Sequence, residues 1–133
     1  MHQRDYLLTE AQKLALLLAK LMGLKSAEES DKFAAQFNDI LQDEFNIDLI
    51  ELIAFNEDEF ISHLNSTPYS VEKLNALAKM LDLFTQSYKD DNETDLMLRK
   101  ILVIFDFLEK HHRYLSIENI NKRNTIRKYL INS

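Results

Sequence analysis

Apolar residues recur along most of this chain at spacings of three and four, the period of a helix with one dry face. Leu7, Ala11, Leu14, Leu18 and Leu21 follow that rule, with Leu8, Ala15 and Met22 beside them. They predict a first helix over residues 3–22. Gly23 can adopt the left-handed conformation that ends a helix. "SAEE" after it offers a capping box between Ser26 and Glu29. Phe33, Phe37, Ile40, Leu41 and Phe45 mark the apolar face of a second helix ending near Glu44. "IDLIELIAF" and "NEDEFISHLN" read as two short helices, the second capped by Asn56. "STPYS" is a break: Pro68 restrains Thr67 away from helix, and Ser70 can cap the next helix.

The second half is more strongly patterned. Val71, Leu74, Leu77, Leu81, Phe84 and Tyr88 define one face over residues 70–89, broadened by Ala78, Met80 and Leu83. "KDDNETD" is a polar turn, and helices over residues 93–112 and 116–131 come after it, the last with Ile117, Ile120 and Ile131 facing inward. The stretch "ILVIFDFLEKHHRYL" holds one acid in an apolar run. On a wheel at 100° per residue, Asp95, Arg99, Asp106 and Lys110 share a stripe roughly 60° wide. Asp106 therefore lies on a narrow wet edge, with Lys110 and Arg99 as helical neighbours that support it modestly. A helix apolar around most of its circumference needs cover on most sides. It is either the centre of a layered helical packing or partly a dimer interface.

Composition sharpens this picture. One Gly and one Pro in 133 residues leave little material for the tight turns that sheets require. The expected fold is a single all-α domain over residues 1–133, an antiparallel array of six to seven helices joined by short connections. Without Cys, disulfides and thiolate metal sites are excluded. No signal peptide or membrane span is legible, so the expected location is the cytoplasm. The net charge of −6 is unevenly distributed. Residues 1–98 carry 8 Lys+Arg against 19 Asp+Glu, and residues 99–133 carry 8 against 3. The basic end is expected to pack near the acidic body, or else to meet an anionic partner.

Candidate chemistry is sparse. Glu109 and His112 form one Glu-x-x-His, but a di-iron bundle needs two such motifs and two further Glu. His111 and His112 diverge by ~100° on a helix and cannot readily share a metal. Ser62 and His63 are adjacent and lack the elbow of a nucleophilic serine. Glu57, Asp58 and Glu59 suit a helix start, where acids stabilise exposed amides. No catalytic, metal or cofactor residue is assigned, and no enzyme is expected. Lys122, Arg123, Arg127 and Lys128 in "NKRNTIRKYL" spread over about 240° of a helix. With an acidic body behind them, nucleic-acid binding is not expected.

The opening "QRDYLL", the leucine-rich first helix and the segment "VEKLNALAKMLDLFTQSYKDDNETDLMLRKILVIFDFLE" resemble an uncharacterised bacterial helical domain family. Its helix pair is similar to a tetratricopeptide repeat. Leu81, Phe84 and Tyr88 occupy positions of the first repeat helix, and Met97, Ile101 and Ile104 those of the second. Thr85, Met97 and Ile104 stand where that pattern wants small residues, and no second unit appears at a period of about 34. The resemblance implies a divergent helical-repeat-like packing; the family suggests no reaction and no ligand, and the helix pair suggests protein binding without settling function. The first functional expectation is a non-enzymatic interaction domain that recognises a protein or pairs with itself, as monomer or homodimer. Tyr69, Tyr88 and Tyr114 are its candidate contacts. The alternative is a regulatory module whose basic C-terminal helix holds an anionic partner, nucleic acid included, on Lys122, Arg123, Arg127 and Lys128.

Overall fold

The computed structural model describes residues 8–85 and 91–132. They form α1 (Glu10–Ser26), α2 (Ser30–Ile40), a π-helical turn (Leu41–Phe45), α3 (Leu49–Ala54), α4 (Glu57–Ser66), α5 (Val71–Phe84), α6 (Asn92–His112) and α7 (Ile117–Asn132), with no strand among them. The fold is all-α, as the period of the apolar positions requires.

Most helix starts obey local chemistry. Thr9 and Gln12 close a capping box: the Gln12 amide donates to Thr9 Oγ1 at 3.1 Å, and the Thr9 amide donates to Gln12 Oε1 at 3.0 Å. Asn56 and Glu59 do the same for α4 at 2.8 Å each way. Asp48, Ser70 and Asp91 cap α3, α5 and α6. Each box satisfies amides that the first turn otherwise leaves open.

Two expectations fail between α1 and α2. Gly23 does not end α1, which continues one turn to Ser26 because Leu24 still packs against the core. Ser26 is therefore helical and cannot cap α2. The left-handed residue is Glu28 (φ 58°), and α2 begins behind Glu29 without a side-chain cap. Gly23 lies in a helix interior where an added Cβ would meet nothing within 4 Å. Gly23→Ala is expected to raise stability by about 0.5–1 kcal/mol, read as a higher urea midpoint at unchanged slope.

Beyond α2 the chain keeps its apolar face inward. Phe33, Phe37, Ile40, Leu41 and Phe45 are all buried, the last two by the π turn. Asn46, which tolerates positive φ, ends that turn at φ 58°. The packing centres on α5 and α6, the most extensively paired helices. Seven residues of α5 are buried, including Ala76 and Ala78 off its main face. α1 packs on α5 and α2, while α4 and α7 pack on α6. α6 is thus flanked by α4, α5 and α7 of its own chain, which leave Leu96 exposed and Leu102, Val103 and Phe107 half-buried. On α7 the expected inward residues are displaced: Ile117 is 78% and Ile131 81% exposed, Ile120 is half-buried, and Ile126 is fully buried instead.

Candidate interaction surface

Polar groups that the sequence offered for contact or chemistry are largely engaged inside the fold. Tyr69 is buried, which corrects its place among exposed contact aromatics. Its hydroxyl donates to the Phe45 carbonyl at 2.5 Å, a group stranded at the end of the π turn. Having given its one hydrogen there, Tyr69 Oη accepts from His63 Nε2 at 2.9 Å. Burial, with the Glu51 charge, pushes the phenol up to about 12, so Tyr69 stays neutral. Burial also lowers the His63 pKa, and Glu51 opposes that shift. Phe55 and Tyr69 flank the His63 ring at 5.2 and 5.6 Å between centroids.

Glu109 pairs with Arg123 of α7 rather than with His112. His111 stacks on Phe107 at 4.2 Å. Among the described residues, no three His, Asp or Glu side chains are grouped to hold a metal ion. Tyr114 is half-buried against the core, and Tyr88 lies outside the described residues.

The four basic residues of α7 divide. Arg123 turns inward to Glu109 and, at 3.4 Å, to Asp106. Lys122 reaches Asp82 of α5 at 3.0 Å. Arg127 and Lys128 are exposed. The basic end therefore packs on the acidic body, and Lys122, Arg123, Arg127 and Lys128 do not make one continuous cationic face. The wet edge of α6 is where α7 lands: Asp106 meets Arg123, not Lys110 or Arg99.

One buried charge was not singled out by the sequence. Lys100 is 1% exposed, with no hydrogen bond or ion pair among the described residues, on the α6 side that meets α4. Its place on the wheel, about 80° off the polar stripe of α6, is the signal that marks it. Desolvation lowers its pKa, and Glu57 at the start of α4 opposes that shift. The folded state therefore binds its proton less well than the unfolded chain. Stability should rise as pH climbs from the folded value to the ordinary 10.5. Lys100→Met is expected to stabilise by about 1–2 kcal/mol and to flatten that alkaline rise, measured by urea unfolding between pH 7 and 10.

The larger feature is the outer side of α1. Ala11, Ala15, Leu16, Ala19 and Met22 all face solvent, Leu16 at 60% and Met22 at 55% exposure. With Gln12 and Gly23 they span an arc of roughly 140° that contains no charge. Glu10, Lys13, Lys20 and Lys25 fall outside it. Only Leu14 and Leu21 of α1 are fully buried. The excess was visible in the sequence: "LALLLAKLM" holds more apolar residues than one buried face uses. Ala15, Leu18, Ala19 and Met22 also form one wall of an open trough of about 440 Å³. Lys79, Asp82 and Leu83 of α5 form its floor, and Glu118 of α7 the far wall. At Lys79, Asp82 and Glu118 the trough joins a smaller cleft of about 180 Å³ beside Asn75, Ala78 and Asn119.

No described helix is long and apolar enough to cross a membrane. Neither a family model, nor a curated protein, nor a solved structure matches this chain.

Proposed function

We propose that this chain is a non-enzymatic interaction domain that docks a protein on the outer face of α1. The observation that carries this reading is the uncharged apolar arc through Ala11, Ala15, Leu16, Ala19 and Met22. Contiguous exposed apolar surface on a folded domain marks contact with another molecule. The internal engagement of His63, Tyr69 and Glu109 supports the same reading, because it withdraws the groups best suited to acid–base work. The α5–α6 pair, tetratricopeptide-like in its pattern, serves here as the scaffold beneath the docking face. A chain without Cys suits a cytoplasmic setting, which we propose for it.

A photo-crosslinking amino acid placed at position 16 in the native host tests this. A discrete protein adduct is expected at position 16 and absent at the exposed control position 72, and Ala19→Glu should remove it. Equal labelling at both positions, or none at 16, would overturn the reading.

A further inference from the structure

We infer that the outer face of α1 receives a second copy of itself, in an antiparallel two-fold pair. This rests on the interaction reading above and names the occupant of that face.

A two-fold interface needs a surface that is complementary to itself, a condition that a face built for a different protein does not have to meet. The face of α1 meets it. On a wheel at 100° per residue, its uncharged arc is symmetric about one midline. Ala15 and Ala19 stand about 20° to either side of that line, Met22 and Gln12 about 40°, and Ala11 and Gly23 about 60°. Each of these pairs also straddles the level of Leu17 at equal distances along the helix.

In an antiparallel pair, like flanks of the two helices meet in reversed order. At a rise of about 1.5 Å per residue, Ala15 of one copy then comes level with Ala19 of the other at the centre. On one flank Met22, 55% exposed, stands within about 2 Å of the level of Ala11 in the second copy. On the other flank Gln12 stands in the same relation to Gly23. Each long side chain thus finds a small residue opposite it. Leu16, 60% exposed, lies beside its own counterpart, offset by about 3 Å along the axis. With alanines at the centre, the helix axes can approach to about 8 Å.

Charge does not oppose this contact at close range. No charged residue of α1 lies within about 90° of the midline. Lys13 is drawn to Glu44 at 2.8 Å, and Lys25 stands over the Phe33 ring. The contact is one helix wide, smaller than the roughly 800 Å² per partner of a standard interface. The dimer is therefore reversible, with a Kd in the micromolar range.

Light scattering of the full chain, from low to high micromolar concentration, tests this. The mass is expected to rise from 15.7 kDa toward twice that value. Ala19→Glu sets two carboxylates against the centre and is expected to weaken pairing about tenfold or more, with an unchanged urea midpoint in dilute solution. The chain has no Cys, so one introduced thiol reports its own position. In the antiparallel pair the two copies of position 16 are offset by about 3 Å along the axis, and those of position 22 by about 15 Å. A short bis-maleimide is therefore expected to link Leu16→Cys to itself and to leave Met22→Cys monomeric. A monomer at every concentration overturns the inference. So does a dimer indifferent to Ala19→Glu, or one linked at position 22 as readily as at 16. The adduct formed at position 16 in the host then decides the broader reading. A mass other than two chains leaves that reading standing with a different protein on the face, and no adduct removes it.

Discussion

Ile126→Ala is expected to release α7 from the body, at about 2–4 kcal/mol. Ile126 is the fully buried side chain of α7, held at 0% exposure, with Tyr129 and Leu130 half-buried beside it. The other fastenings are the Arg123 and Lys122 ion pairs with Asp106, Glu109 and Asp82, and partly exposed pairs of this kind contribute little each. Because α7 ends the helical array and packs chiefly on α6, its release is a local opening rather than global unfolding. Hydrogen exchange reads the difference. Amides of α7 should exchange about thirty- to a thousandfold faster, while those of Leu77, Leu81, Ile101 and Ile104 remain protected. Ile131→Ala, at an exposed position, should change stability by less than about 0.5 kcal/mol. Uniform acceleration through α5 and α6 would instead make α7 integral to the core.

Tyr69→Phe is expected to destabilise by about 1–3 kcal/mol. The ring keeps its volume and its edge contact with Phe45 at 5.5 Å. What disappears is the hydroxyl, which leaves the Phe45 carbonyl without its donor and His63 Nε2 without its acceptor. The effect therefore isolates hydrogen bonding from packing, and urea unfolding at pH 7 measures it. The same site gives a pH dependence. Folded His63 has a lowered pKa through burial, so the native state binds fewer protons than the unfolded chain. Its contribution is complete above the ordinary value of 6.5 and is lost as pH falls through 6.5 toward the folded value. His63→Gln should remove that part of the acid slope. An unchanged slope would show that His63 is not its source.

Periodicity and caps made much of the architecture legible. The buried set of Phe33, Phe37, Ile40, Leu41 and Phe45, the Asn56 cap and the Pro68 break are all decided by neighbours within a few residues. The short-range rules failed where distant groups decide. Gly23 was free to end α1 on conformational grounds, yet Leu24 finds core to pack against and the helix runs on. Tyr69 reads as a surface aromatic until the π turn places a carbonyl within its reach, 24 residues away in sequence. Lys100 could be seen to stand off the polar stripe of α6, but its burial depends on where α4 lies.

The amino-acid order alone determined an all-α chain whose basic end seeks its acidic body, because helical period, capping and charge act over short distances or by composition. Only the tertiary structure decided which apolar face of α1 remains uncovered. Both faces are apolar, Leu14 and Leu21 on the buried one and Ala11, Ala15, Leu16, Ala19 and Met22 on the other; the second is exposed because α2 and α5 meet the opposite side of the helix, and packing between helices is where the choice is made.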